Sequence, residues 1–216
     1  MSPLELKDRK SILLYIRNIY RNEIVKFSAF KFHFYICSFL FVLMAFVGYY
    51  IAISFPEFIQ AYLDNKRSGL NGKGISIKSE SFPLMLSLFK NNLTSCYIYI
   101  LVGFIPFIFA PYLYVCMNGL IIGEQLIKGI SLSKIILVGL LPHGITELPA
   151  LFLSASIGIY FCMHLIRKII KRNANIQMKQ VIKNGLTTFV FVVIPLLIVS
   201  AFIEAFITKF LILDFL

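Results

Sequence analysis

The chain has 216 residues, of which 59% are hydrophobic and 14% charged, and its net charge is +11. Soluble domains carry roughly 25% charged residues, so the composition excludes an ordinary water-soluble enzyme and points to a single-domain, nearly all-helical membrane protein. The positive excess fits the bias that keeps Lys and Arg at the cytoplasmic face, and no nucleic-acid partner is expected.

Residues 1–33 hold seven Lys/Arg and three acids. Ile12, Ile16, Ile19, Tyr20 and Ile24 recur at helical spacing, which predicts a basic amphipathic segment on the cytoplasmic side of the bilayer. The remainder, 34–216, reads as one transmembrane domain. Phe34–Phe55 has no charge and is the clearest span; Tyr49 and Tyr50 suit an interfacial anchor, and Pro56 ends it. No small-residue cleavage site follows, so this run is expected to stay as an anchor.

Residues 56–94 form the longest polar stretch and are expected to be an outer loop. Leucines and aromatics at helical spacing on either side of Ser68–Gly74 predict two short interfacial helices there. Cys96–Met117 reads as the second span, kinked by Pro106 and Pro111. Gly119 and Gly123 follow in a G-x-x-x-G spacing suited to close helix packing. Glu124, Lys128 and Lys134 then interrupt the apolar pattern, so the third span is expected to be short or broken, with Asn118–Lys134 inside.

Pro142, His143, Gly144, Glu147 and Pro149 crowd into the next break, expected toward the outer face. Leu148–Ile166 reads as the fourth span, with Ser154, Ala155, Ser156 and Gly158 as a small-residue face. The segment 167–185 has six Lys/Arg and no acid, which marks a cytoplasmic loop. Leu186–Ile207 is the last span and carries Glu204. The expectation is thus an all-α, polytopic transmembrane helical bundle of about five spans. Its central helix is broken or short, its N-terminus is cytoplasmic and its C-terminus extracytoplasmic.

Ionisable groups at membrane depth are costly and mark functional sites by default. His143, Glu147, Glu204 and Glu124, with Asn118, make up the expected intramembrane polar site. His143 and Glu147 are four apart and would share a face on a helix; Glu204 is the expected partner of both. Gly119, Gly123, Pro142, Gly144, Pro149 and Gly158 are the expected packing and break positions. No catalytic residue is expected, because no G-x-S-x-G elbow, P-loop, H-E-x-x-H or dinucleotide fingerprint occurs. The four cysteines sit in apolar runs without C-x-x-C spacing, so neither metal nor cofactor is expected.

Asn118-Gly119 with Gly123, then Pro142-His143-Gly144, Glu147, Ala150 and Gly158, and finally Ala201-Phe-Ile-Glu-Ala-Phe-Ile-Thr208, resemble the signature of the stage II sporulation protein M family. The resemblance covers roughly residues 90–210. It implies a polytopic cell-membrane protein that is not itself a hydrolase. In spore formers the namesake anchors partners that remodel peptidoglycan during engulfment, whereas relatives near circular bacteriocins are linked to export or self-immunity. The partners it implies are the lipid bilayer, other membrane or cell-wall-remodelling proteins, and a possible second copy of the chain in a homo-oligomer.

Overall fold

The computed structural model describes residues 3–55, 81–125, 141–170 and 176–208. Among them every regular element is helical. Helix α1 (Pro3–Ser54) runs 52 residues without interruption. Pro3 sits in its first turn, where a missing N–H costs nothing, and no other proline occurs before Pro56. The basic segment and the first span are therefore one helix. Helix α2 (Ser81–Val102) starts with Pro83 in its first turn. Helix α3 (Phe109–Gln125) likewise carries Pro111 near its start. Helix α4 (Leu141–Ile170) contains Pro149 and ends on Arg167 and Lys168. Helix α5 (Met178–Thr208) holds two wide π turns, Phe189–Val193 and Glu204–Thr208. Pro195 follows the first. It cannot donate a backbone bond, and the i→i+5 pairing beside it accommodates that break.

Three of these helices contain stretches long and apolar enough to cross a membrane: Lys26–Ser54, Gly144–Ile170 and Met178–Thr208. Phe109–Gly123 is apolar but shorter. Phe32, Tyr35, Phe39, Phe46 and Tyr50 are exposed along α1. Such a row would be an aggregation patch in water, and in a bilayer it faces lipid. Helix α4 is the hub: 67% of its apolar window is buried, against 22% and 28% for those of α1 and α5. Its residues Leu151–Ile159 are buried on every side, as a helix surrounded by neighbours must be.

Helix directions follow from named contacts. Phe30 meets Tyr160, and Phe41 meets Phe152, so α1 and α4 are antiparallel. The positions of Gly119 against Phe41 and Gly123 against Ala45 and Tyr49, with Tyr112 beside His33, make α3 parallel to α1. Gly103 lies on Gly158 and Ile105 on Cys162, while Asn92 bonds Glu147, so α2 runs with α4. Gly185 packs on Ile157 and Phe161 and Ser200 reaches Glu147, so α5 opposes α4.

This arrangement corrects the expected second span. Cys96–Met117 does not form one helix; the chain reverses at residues 103–108, and α2 and α3 make a hairpin. Gly103 permits the close crossing, and Pro106 withholds a donor at the bend. Asn118 consequently lies on a helix rising parallel to α1, not on a linker level with the α1 N-terminus. The expected short interfacial helix around Leu84–Phe89 is also corrected: these residues are the first turns of α2, with Leu84 and Leu88 packed on Ala201 and Ala205 of α5. The expected helix before Ser68, and most of the Asn118–Lys134 linker, lie outside the described residues. His33, expected ahead of the first span, falls within it.

Candidate intramembrane polar site

Helices α2, α4 and α5 meet at the end of the bundle that holds Ser81 and Leu141, and each contributes polar groups there. Glu147 lies two turns into α4. The Ser200 hydroxyl on α5 donates to Glu147 Oε2 at 3.5 Å, and the Asn92 side chain on α2 also bonds this carboxyl group. Glu204, one turn beyond Ser200, lies within electrostatic reach of Glu147. Both glutamates are half-buried, whereas Ser200 is fully buried. Removing such groups from water is tolerable only when they are bonded or compensated, and Glu147 has two neutral donors. Thr208 is 1% exposed and its hydroxyl has no partner.

The positions of the expected site residues divide. Glu147 and Glu204 lie at the same end of the bundle, within electrostatic reach of each other. The backbone of His143 lies on α4, one turn before Glu147, on regular helix rather than in a break; its side chain lies outside the described residues. The Glu124 side chain does too; its backbone lies at the C-terminal end of α3, the arm of the hairpin packed on α1. Asn118 is elsewhere: its Nδ2 donates to the Tyr99 hydroxyl at 2.8 Å and to the Tyr114 carbonyl at 2.9 Å, tying α3 to α2. Asn92 and Ser200 were not singled out by the sequence. A hydroxyl four residues before Glu204, and an amide where α2 turns apolar, were the available signals.

The glycines act through close approach. A Cβ at Gly158 would strike the Tyr99 carbonyl oxygen, and one at Gly119 would lie 2.5 Å from the Phe41 carbonyl oxygen. Gly119 and Gly123 therefore face α1 of the same chain, as Gly48 does in return against Leu120. Gly144 is buried near the start of α4 and Pro142 lies in its first turn; Pro149 sits inside the helix. Further ties join the helices: His33 Nδ1 and the Tyr112 hydroxyl are 2.6 Å apart, and Lys26 Nζ donates to Thr187 Oγ1 at 2.8 Å. Among the described residues no group of three or more His, Cys, Asp or Glu gathers as a metal site.

The sequence profile described as stage II sporulation protein M matches residues 37–209. The chain belongs to this family. The match reaches further toward the N-terminus than residues 90–210 and includes Asn92, Glu147, Ser200 and Glu204. An uncharacterised protein of Methanocaldococcus jannaschii is 32% identical over 178 residues, covering 79% of this chain and 78% of its own. No solved structure matches. Stage II sporulation protein M membership and the apolar helices together make this an integral membrane protein.

Proposed function

We propose that this chain is a non-enzymatic scaffold of the cell membrane, which holds other membrane or cell-wall-remodelling proteins in place. The observation that carries the reading is how the buried and half-buried polar groups are used. Asn92–Glu147–Ser200, Asn118–Tyr99, His33–Tyr112 and Lys26–Thr187 each join one helix to another. With glycine crossings at Gly103–Gly158 and along Gly119–Gly123, these ties make a closely packed platform. In this reading the chain crosses five times. The basic ends at Lys26, Lys31, Arg167 and Lys168 face the cytoplasm, and the Glu147–Glu204 end faces outward.

A second reading, a transport, export or self-immunity component, is favoured by the approach of Glu147 to Glu204, since paired intramembrane carboxyl groups mark ion and proton paths. Two measurements separate them. The scaffold reading expects Glu147→Gln and Glu204→Gln chains to keep co-purifying with the same cell-wall-remodelling partners as wild type from native membranes. It also expects wild-type chain alone in liposomes to leave a proton gradient intact. Gradient loss that disappears in the glutamine variants defeats it.

A further inference from the structure

We propose that the basic end of the bundle holds an anionic phospholipid, its phosphate on Lys168, Lys179 and Lys183 and its acyl chains against Phe104, Ile105 and Ile169. The inference goes beyond the scaffold reading, and its measurements are separate from partner capture and proton flux.

The helices reach unequally far at this end. The bend between α2 and α3 stops level with Gly158–Cys162 of α4: Gly103 lies on Gly158, the Cys162 thiol donates to the Ile105 carbonyl at 3.3 Å, and the Phe104 and Phe161 rings meet at 5.2 Å. Helix α4 continues to Ile170, a further rise of about 12 Å past Cys162. Gly185 of α5 packs at the level of Ile157 and Phe161, and that helix begins at Met178, about 10 Å further out. A step is left under the bend. Its surfaces are apolar: Phe104, Ile105 and Phe107 are 40–54% exposed. Gly158 and Cys162 mark the face of α4 turned to the bend, and Ile166 and Ile169 continue it at helical spacing, with Ile169 58% exposed.

Depth and charge identify the occupant. Phe30 of α1 is level with Tyr160. From Phe30 to Tyr50 along α1 is about 30 Å, the thickness of the hydrocarbon core of a bilayer. With Tyr50 as the anchor at one interface, the bend lies at the opposite edge of the hydrocarbon. Lys168, six residues past Cys162, and Lys179, six before Gly185, lie about 9 Å beyond it, at headgroup depth; Lys183 is one turn nearer. All three are exposed, and Lys179, Lys183 and Leu186 share one face of α5 by their spacing. No Asp or Glu occurs between Glu80 and Glu124 or between Glu147 and Glu204, so the elements around the step offer these lysines no carboxylate of their own. An apolar shelf at the hydrocarbon edge, with cations just beyond it, matches both parts of a phospholipid. A soluble anion would use the charge and leave the shelf bare.

The chain has no Trp, so Phe107→Trp places a sole indole at the bend. The full-length variant is reconstituted in phosphatidylcholine vesicles that contain rising fractions of dibrominated phosphatidylglycerol or dibrominated phosphatidylcholine as quencher. Half-quenching by the glycerol lipid is expected at a mole fraction at least about fivefold lower, since each lysine near an anionic surface is worth about that factor. Adding Lys179→Gln with Lys183→Gln should bring the two curves together. Arg17→Gln with Arg21→Gln, which removes the same charge from exposed positions on α1, should leave them apart. If the tryptophan variant does not fold, thermal unfolding of wild type in detergent is the second readout: phosphatidylglycerol should raise Tm saturably, and phosphatidylcholine or inorganic phosphate should not. Four results overturn the site. They are equal quenching by the two lipids, which would leave the step to a protein partner; a preference that survives the lysine changes; one that falls equally with the arginine pair; and a Tm rise with phosphate alone.

Discussion

Replacing Gly158 with alanine tests the crossing of α2 and α4, because two effects of opposite sign compete there. Alanine in place of a helical glycine contributes about 1 kcal/mol of helix propensity, so without a close neighbour Gly158→Ala would stabilise. The structure places the Tyr99 carbonyl against that position. An added Cβ would strike its oxygen and lie 3.2 Å from its carbon. A Cβ at Gly103 would similarly lie 2.5 Å from Gly158 Cα. Non-bonded carbons rest ~3.5–4.0 Å apart, so the helices must part by about 1 Å, which forfeits a quarter to a half of each dispersion contact at the crossing. Overpacking of this kind costs about 1–3 kcal/mol. The clash is with backbone, which cannot rotate away, so the cost wins. Set against the ~1 kcal/mol of propensity, the net loss is up to about 2 kcal/mol, so Tm of the detergent-solubilised chain should fall by up to about 8 °C, with 1 kcal/mol equal to about 2–4 °C at this size. Adding Gly103→Ala should cost less than it does alone, since the helices are already apart. A rise in Tm for Gly158→Ala would refute the crossing.

Three other expectations follow from the same geometry. Tyr112→Phe leaves the buried His33 without its hydroxyl partner and should cost about 1–3 kcal/mol, while His33→Phe with Tyr112→Phe should recover most of it; paired melts that show no recovery would count against the bond. A double-mutant cycle of Tyr99→Phe and Asn118→Leu should return a coupling of about 0.6 kcal/mol, typical of interhelical bonds in membranes, and additive effects would remove the tie. In a cysteine-free background, an impermeant thiol reagent should label Ser54→Cys and Ser81→Cys from one side and Phe107→Cys and Met178→Cys from the other; labelling of Phe107→Cys and Ser81→Cys from the same side would contradict the hairpin.

Much of the helical framework was legible because length and apolarity suffice to recognise Lys26–Ser54, Gly144–Ile170 and Met178–Thr208. Direction was harder. The reversal at residues 103–108 carries Gly103, Phe104, Ile105, Pro106, Phe107 and Ile108, with no polar residue to announce a loop, so hydropathy reads it as the middle of a span. Two prolines looked like kinks because a kink and a reversal leave the same mark in composition. Glu147 and Glu204 stand out as acids in apolar runs. Asn92 and Ser200 do not, since neutral polar residues recur throughout such helices. The wide turn at Glu204 leaves no trace in residue type, yet it decides which face Thr208 shares.

The plain, apolar bend between α2 and α3 bears on how the protein enters its membrane. No Lys, Arg, Asp or Glu lies between Lys90 and Glu124, so the hairpin has no charge of its own within which to register which side is which. Orientation by basic residues acts through the segments that flank a span. Here those segments carry Lys66, Arg67, Lys73 and Lys78 before α2 and Lys128 and Lys134 after α3, with the N-terminal part of α1 and the Arg167–Lys168 end of α4 beyond them. By that rule the apolar stretch between Lys90 and Glu124 takes its polarity from its neighbours. Moving those flanking charges is expected to invert the hairpin without altering a single residue between Lys90 and Glu124.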